Sequence, residues 1–134
     1  MVKEEVEKQL QAGFIQVFEY SEWVSNVVPV LKKNGKIRVC ADFRDLNKAS
    51  PKDDFPLPHV DILVDNTNDH ALLSFMDGYA GYNQIKMAKE DISKTAFITP
   101  WGTYAYTVMP FGLINVGATY QRTATTLLRD MMHK

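Results

Sequence analysis

Cysteine is nearly missing from this chain, since Cys40 is the only one among its 134 residues. A single thiol excludes a disulfide framework within the chain, and it excludes a zinc site built from several thiolates. Near-absence of cysteine is typical of proteins from a reducing compartment.

Long hydrophobic runs are also missing. The longest uncharged stretch, Thr95–Gln121, includes two prolines and three glycines, and this composition does not match a membrane-spanning helix. The first ten residues include three glutamates, so we expect no secretory leader. No membrane partner is expected.

Charge of either sign is in little excess, because the net charge is -1 and the sequence pI is about 6.3. The distribution is nevertheless uneven. A basic stripe runs from Lys32 to Lys52, where seven basic residues face two acidic ones. Such a stripe can meet the phosphates of a nucleic acid. The alternative is an ordinary solvated lysine-rich hairpin.

Apolar residues make up 46% of the sequence, which is enough for one domain with a hydrophobic core. Apolar residues at i, i+4 and i+8 predict a helix over Val2–Leu10 that stops at Gly13. Asn34-Gly35 between two apolar runs predicts a β-hairpin. Pro29 lacks an N–H, so its strand is predicted to be an edge strand.

The middle of the chain is predicted to be a loop over residues 42–58, followed by a short helix over His59–Asn66. Ala71–Asp77 predicts a buried strand, and alternation assigns three of its side chains to one face: Leu73, Phe75 and Asp77. A carboxylate at the end of a buried strand is a frequent position for chemistry.

The last third predicts strands over Gln84–Met87, Thr95–Thr99 and Thr103–Val108, with a turn at Pro100–Gly102. A final helix is predicted over Ala118–Met132, although its four threonines lower its helical propensity. The mixture predicts an α+β fold with a hairpin-rich sheet and helices at its ends.

Four blocks of this sequence resemble the polymerase of gypsy-type LTR retrotransposons, most closely the plant branch. They are Val27–Asn47, Phe55–Asn66, Phe75–Lys94 and Thr95–Arg122. The most specific pair is MPFGL with DGYAGYNQI about thirty residues before it. The resemblance implies a partial right-hand polymerase over residues 1–134, with a fingers hairpin and an incomplete palm sheet. It also implies that the Tyr-x-Asp-Asp hairpin, thumb and RNase H lie outside these residues.

The family reaction implied by the resemblance is RNA-directed DNA synthesis, in which a primer 3′-hydroxyl attacks the α-phosphate of a deoxynucleotide. This chemistry uses two divalent ions, and the family implies Mg²⁺. Asp77 matches the first metal-binding aspartate, and we expect it to be both the catalytic residue and a metal ligand. With two of three aspartates outside the chain, we expect weak metal binding and no activity of these residues alone.

The resemblance also implies a nucleotide site. Arg38 matches an arginine that contacts the triphosphate, and Lys32 or Lys33 matches a second contact, with the register left open. Tyr82 matches the residue under the ribose, and Phe111 matches one beside the incoming nucleotide and template. Each has a plainer alternative, as a solvated basic side chain or a core aromatic.

The implied partners are an RNA or DNA template-primer and a deoxynucleoside triphosphate. An unpaired edge beside the Asp77 strand would also permit self-association. The alternative function is a non-enzymatic remnant that binds nucleic acid through the basic stripe, or a pseudogene product. The compartment stays open between a nuclear retroelement and an organelle such as the plant mitochondrion.

Overall fold

The structure, a computed structural model that describes residues 1–132, begins with the predicted amphipathic helix. Helix α1 spans Val2–Gln11 and buries Val6. Two glutamates in its first turn interact favourably with the helix dipole. The chain then turns at Gly13, whose φ of 73° is costly for residues with a side chain. The predicted helix and its stop are both confirmed.

A five-stranded sheet forms the centre of the fold, in the order β1-β5-β4-β2-β3. All neighbouring strands are antiparallel except β2 and β4, which run parallel. The strands are β1 (Ile15–Val17), β2 (Ser25–Leu31), β3 (Ile37–Ala41), β4 (Phe97–Thr99) and β5 (Gly102–Tyr106). Strand β1 was not predicted, although its apolar-polar-apolar alternation is a short strand signal.

The predicted hairpin is present as β2 and β3, closed by a turn in which the Lys32 N–H donates to the Lys36 carbonyl at 2.8 Å. Val39 is buried while Arg38 is exposed, so the side chains of β3 alternate between the core and the solvent. The prediction that the strand of Pro29 is an edge strand is wrong, because β2 lies between β4 and β3. Proline is tolerated there since β4 pairs with β2 only at Ser25 and Asn26.

The predicted loop over residues 42–58 contains a helix, so that prediction is wrong for its first part. Helix α2 spans Arg44–Ala49 and buries Leu46. An Asp42 carboxylate oxygen accepts the Arg44 backbone N–H at 3.1 Å, which satisfies a free donor at the helix start. All three prolines of the segment follow α2, so none of them interrupts it.

The predicted buried strand over Ala71–Asp77 is wrong. Helix α3 (Val60–Asp65) confirms the short helix before it, but residues 71–77 form no strand and are exposed throughout. Phe75 is 92% exposed. A strand requires a partner for its backbone N–H and C=O groups, and no strand of the sheet within residues 1–132 lies beside this segment.

The strand predicted over Gln84–Met87 is also wrong in extent. A short 3-10 helix occupies Gly81–Gln84, and only one bridge, between Lys86 and Val108, joins this region to the end of β5. The two strands predicted after it are confirmed in shorter form as β4 and β5. Helix α4 (Lys89–Ile92) and a 3-10 turn precede β4.

The C-terminal helix is confirmed as α5, Val116–Leu127, followed by a 3-10 turn over Arg129–Met131. Two of its threonines return hydrogen bonds to the preceding turn, from Thr123 to the Thr119 carbonyl at 3.0 Å and from Thr126 to the Arg122 carbonyl at 2.9 Å. Such bonds satisfy the hydroxyls without adding tertiary contact. The helix therefore relies on anchors elsewhere, which lie at the candidate site.

The core lies where α1 and α2 pack against the sheet. Its buried members come from helices, strands and the turn before α2: Val6, Ile15, Val39, Ala41, Phe43, Leu46, Phe97 and Tyr106. Phe97 and Tyr106 lie 5.2 Å apart between ring centroids, a separation typical of favourable aromatic pairs. Burial raises the pKa of the Tyr106 phenol.

No helix within residues 1–132 is both long and apolar enough to cross a lipid bilayer.

Candidate nucleotide-binding site

A cleft of about 200 Å³ lies between α1, the β2–β3 hairpin and the loop after β5. Three of the predicted nucleotide-contacting residues line it: Lys32, Arg38 and Phe111. The hairpin supplies the two cations from its turn and its outer face, and the loop supplies the aromatic ring. Lys33 lies on the exposed turn beside this cleft. We call this space the cationic cleft.

Arg38 and Phe111 are in direct contact inside the cationic cleft. The Arg38 guanidinium carbon lies 4.9 Å from the centroid of the Phe111 ring, within the range of a cation–π interaction. Stacking on the ring leaves the edge of the guanidinium, which carries its donors, free to meet an anion. The pair therefore combines an apolar surface with a fork of donors.

A second cleft of about 200 Å³ lies on the other side of Phe111. We call it the carboxylate cleft, because Asp77 lines it. Its remaining lining comes from the loop after Asp77, from the loop after β5 and from α5: Gly78, Gly81, Tyr82, Phe111 and Tyr120. Phe111 lines both clefts, so the two spaces adjoin.

Tyr82 contacts two aromatic rings of the carboxylate cleft. Its ring centroid lies 5.2 Å from that of Phe111 and 5.3 Å from that of Tyr120. The contact with Tyr120 is edge-to-face, with an angle of 77° between the ring planes. Half-buried between two partners, the Tyr82 ring has few alternative rotamers.

A tight turn brings Tyr82 back toward Asp77. Ala80 and Gly81 both have positive φ, 60° and 49°, and the Gly81 N–H donates to the Gly78 carbonyl at 3.1 Å. The left-handed conformation is uncommon for alanine and costs free energy. Strain of this kind is often found at functional sites, and here it reverses the chain within five residues of Asp77.

Asp77 is the single carboxylate in the lining of its cleft. Among residues 1–132 no group of three or more histidine, cysteine, aspartate or glutamate side chains is arranged to hold a metal ion. A hard divalent cation needs several oxygen ligands, of which water can supply some. Asp77 suits magnesium by its chemistry, and the described residues provide one part of a ligand set.

Helix α5 is anchored over the site by an ion pair that the sequence patterns did not indicate. The Arg122 guanidinium donates to the Asp53 carboxylate at 2.6 Å, and it also lies 4.9 Å from the centroid of the Phe55 ring. The Arg122 hydrogen bond, followed by the Phe55 backbone N–H, lowers the pKa of Asp53. Both partners fall inside the resembling blocks or beside them, yet neither spacing nor charge pairing identifies them.

Two asparagines fix the loops around the site. The Asn47 amide donates to the Gly112 carbonyl at 2.7 Å, and its oxygen accepts the Ile114 N–H at 2.8 Å. Asn115 donates to the Pro51 carbonyl at 2.9 Å and accepts the Asp53 N–H at 2.9 Å. The loop that carries Phe111 is therefore held to α2 by hydrogen bonds between its backbone and the Asn47 side chain. Sequence reasoning missed both asparagines.

All seven basic side chains of the basic stripe are exposed. The Arg44 guanidinium forms an ion pair with the Asp42 carboxylate at 2.6 Å, and its hydrogen bond lowers the pKa of Asp42. Lys48 pairs with Asp45 at 3.4 Å. Asp42 thus orients its own loop. The four basic residues of the hairpin are absent from the ion pairs found within residues 1–132: Lys32, Lys33, Lys36 and Arg38.

A model of the family described as reverse transcriptase (RNA-dependent DNA polymerase) matches residues 30–134. The chain belongs to the reverse transcriptase family. The resemblance inferred from the four sequence blocks is confirmed, and polymerases of this kind generally use divalent metal ions.

Relatives of this reverse transcriptase chain come from transposons and from a plant. The retrovirus-related Pol polyprotein from transposon 297 of Drosophila melanogaster is 35% identical over 137 residues, covering 99% of this chain and 13% of that protein. The Pol polyprotein from transposon gypsy of the same organism is 32% identical over 139 residues, covering 99% and 13%. An RNA-directed DNA polymerase homolog of Oenothera berteroana is 35% identical over 96 residues, covering 72% and 68%.

Solved structures of similar fold include the foamy viral protease-reverse transcriptase. Its complex with double-stranded DNA matches with a TM-score of 0.81 at 24% identity, covering 98% of this chain and 23% of that one. Its complex with an RNA/DNA hybrid gives a TM-score of 0.76 at 21% identity, covering 98% and 18%. The predicted α+β class and the partial polymerase fold are confirmed. This chain spans a small part of the transposon polyproteins and viral enzymes that it matches.

Proposed function

We propose that this chain forms the nucleotide-binding region of an RNA-directed DNA polymerase and supplies its first metal-binding carboxylate. The observation that carries the proposal is that Phe111 lines both clefts. The cleft that contains Asp77 and Tyr82 therefore adjoins the cleft that contains Arg38 and Lys32. In this reading the β2–β3 hairpin belongs to the fingers, and the region around Asp77 belongs to the first part of the palm.

The cationic cleft is proposed to bind the triphosphate of a deoxynucleotide. Arg38 offers a planar fork that matches phosphate oxygens, and Lys32 adds a point charge on the adjoining turn. Lys33 is assigned a peripheral contact from the exposed turn. Neutralising the phosphates with fixed cations lowers the cost of bringing the triphosphate close to a nucleophile.

The carboxylate cleft is proposed to receive the sugar and the metal. Tyr82 would lie under the ribose, where its fixed ring leaves room for a hydrogen at C2′ and excludes a hydroxyl. Phe111 would pack beside the base, because an aromatic face stacks on any base. Asp77 would hold Mg²⁺ through its carboxylate oxygens.

The reaction proposed for the longer enzyme is attack of a primer 3′-hydroxyl on the α-phosphate of the bound nucleotide, with pyrophosphate as the leaving group. When bound, the metal ions supply charge neutralisation and lower the pKa of the attacking hydroxyl. The residues of this chain orient the sugar and the triphosphate. The Tyr-x-Asp-Asp sequence does not occur in these 134 residues, so we expect no primer extension by them alone.

Titration of the purified chain with a deoxynucleoside triphosphate and MgCl2, followed by intrinsic fluorescence, tests this proposal. We expect weak binding that falls in Arg38→Ala and becomes independent of Mg²⁺ in Asp77→Asn. Asp69→Asn is the matched control, because Asp69 is exposed on the same segment and lies outside the lining of both clefts. Equal binding by all three variants and the unmodified chain would overturn the proposed site.

A primer-extension assay with the same chain separates binding from catalysis. We expect no incorporation on a primed RNA or DNA template. Incorporation that disappears in Asp77→Asn would contradict the expected inactivity, and it would require further metal-binding carboxylates within these residues.

The chain is also proposed to self-associate through its exposed apolar segment. From Leu57 to Tyr79 the structure exposes ten large apolar side chains, among them Leu72 at 91% and Phe75 at 92%. Exposed apolar patches of this size favour association. Sedimentation velocity should give oligomers, and Leu72→Ser with Phe75→Ser should restore the monomer. A monomeric unmodified chain at high concentration would contradict this.

A further inference from the structure

Tyr120 of α5 contacts the Tyr82 ring and lies close to the backbone next to Asp77. We propose that Tyr120 is a positioning residue, which fixes the Tyr82 ring and the Asp77–Gly78 backbone and thereby sets the sugar selectivity of the cleft. The inference rests on the proposed nucleotide site and extends it. Tyr120 does not touch the nucleotide in this proposal, since it acts through Tyr82 and Gly78.

The first contact is with the Tyr82 ring. Tyr120 and Tyr82 lie edge to face at 5.3 Å between centroids, and Tyr82 also contacts Phe111 at 5.2 Å between centroids. Because two aromatic neighbours pack against the Tyr82 ring, both of them restrict its movement. Phe111 is 46% exposed on a loop, whereas Tyr120 is half-buried on a helix. Tyr120 is therefore the firmer of the two supports.

The second contact is with Gly78. A β-carbon added to Gly78 would lie 2.6 Å from the Tyr120 hydroxyl oxygen, but 3.9 Å from the ring carbon that carries it. The hydroxyl therefore lies close to the backbone directly after Asp77, and a side chain at position 78 would require the Tyr120 side chain or that backbone to shift. The clash belongs to one oxygen atom, since the ring itself stays at ordinary contact distance.

The contacts of Tyr120 depend on the position of α5, which is itself held by side chains on both sides of Tyr120. Arg122, two residues after Tyr120, is held by the Asp53 carboxylate and the Phe55 ring. Asn115, at the start of the helix, is hydrogen-bonded to the segment that contains Asp53. The position of Tyr120 is thus fixed by anchors before and after it on the helix. Because Tyr120 lines the carboxylate cleft, the same anchors set the width of that cleft.

A double-mutant cycle tests the hydroxyl contact without any ligand. In Gly78→Ala we expect shifted NMR signals for the Tyr82 ring and the Gly81 amide, because the new methyl group meets the Tyr120 hydroxyl. Adding Tyr120→Phe removes that oxygen, and it should return both signals to their original positions. Signals of Phe97, in the core, should stay unchanged in all variants. Absence of rescue in the double variant would overturn the contact.

Sugar selectivity tests the consequence for the site. The ratio of the dissociation constants for ATP and dATP, measured with MgCl2, should fall partway in Tyr120→Phe, which keeps the ring contact and loses the hydroxyl contact, and should fall severalfold toward one in Tyr120→Leu. Tyr79→Leu is the matched control, since Tyr79 is 90% exposed and lies outside the cleft lining. Its ratio should equal that of the unmodified chain.

The outcomes separate this inference from the proposed function. Loss of selectivity in Tyr82→Ala but not in Tyr120→Leu would overturn the positioning role and leave the nucleotide site intact. Failure of the unmodified chain to bind either nucleotide would overturn the nucleotide site and the selectivity role together. A fall in the ratio that is equal in Tyr79→Leu and Tyr120→Leu would assign the effect to general loosening and overturn the inference.

Discussion

The Arg38 guanidinium lies over the Phe111 ring, with 4.9 Å between its central carbon and the ring centroid. The two residues are far apart in the sequence, and one belongs to the hairpin while the other belongs to the loop after β5. Their contact joins the basic surface of the hairpin to the cleft that contains Asp77. Substitution of Arg38 therefore tests this contact.

Arg38→Lys should weaken triphosphate binding by about tenfold, because lysine keeps the charge but loses the planar fork and the stacking contact. Arg38→Ala should weaken it further. Equilibrium titration with a deoxynucleoside triphosphate measures both. The control is Arg129→Lys, on the 3-10 turn after α5, which should leave the affinity unchanged. Equal affinity in Arg38→Lys and the unmodified chain would contradict a bidentate contact.

Neutralising the four hairpin cations should reduce the salt dependence of binding to a primed duplex. Each phosphate contact adds roughly 0.9 to the slope of log affinity against log salt, so the slope should fall by up to about 4 units. The residues to change to glutamine are Lys32, Lys33, Lys36 and Arg38. Fluorescence anisotropy over a series of salt concentrations measures the slope.

A control set with the same number of charges should leave that slope unchanged. Its members lie on α1, α4 and the turn after it, and not on the hairpin: Lys3, Lys8, Lys89 and Lys94. A duplex affinity that does not change with salt in the unmodified chain would exclude phosphate contacts as its source.

Acid should weaken the anchoring of α5 through Asp53. The Arg122 guanidinium lowers the pKa of this carboxyl below its ordinary value of 3.8 in the folded chain. Because the folded chain favours the ionised Asp53 carboxylate, this group stabilises the fold above pH 3.8. The contribution is lost as the pH falls through the lowered pKa of the folded state and the carboxylate becomes protonated. The difference in Tm between the unmodified chain and Asp53→Asn should therefore be largest near neutral pH and shrink in acid.

Thermal melts between about pH 6 and about pH 2 measure this difference. Asp54→Asn is the matched control, because Asp54 is the exposed neighbour of Asp53 and makes none of the ion pairs found within residues 1–132. A Tm difference for Asp53→Asn that stays constant with pH would contradict the linkage.

Thr95→Val should destabilise the fold although it preserves the shape of the side chain. Thr95 is 1% exposed, and its hydroxyl accepts the Tyr106 N–H at 2.9 Å and donates to the Ile92 carbonyl at 2.7 Å. Leaving a buried N–H unsatisfied costs about 1–3 kcal/mol. Urea unfolding measures the loss, and Thr103→Val on β5 is the control, which should have a smaller effect.

Local patterns of the sequence predicted those elements whose partners are close in the chain. The Asn34-Gly35 hairpin and α1 follow from turn chemistry and from apolar spacing. The strand predicted over Ala71–Asp77 was wrong because an apolar run does not reveal whether a neighbouring strand is available. Helix α2 was missed because the three prolines and the turn-forming residues of segment 42–58 favour a loop, although all three prolines follow the helix.

The candidate site was predicted by resemblance rather than by spacing. Asp77, Tyr82 and Phe111 line one cleft, but neither their charge nor their polarity distinguishes them from turn or core residues. The anchors of α5 were not predicted at all, since the Asp53–Arg122 pair is separated by 69 residues. Contacts across such separations depend on the tertiary fold, which local propensity does not determine.

The order of the strands has a consequence for how this chain folds during synthesis. Strand β1 pairs with β5, and β2 pairs with β4, so the sheet cannot close until residue 106 has left the ribosome. The β2–β3 hairpin, in contrast, can form as soon as its own residues emerge. Non-local pairing of this kind slows folding, and the nascent hairpin, together with the apolar segment after it, is exposed to chaperones throughout that interval.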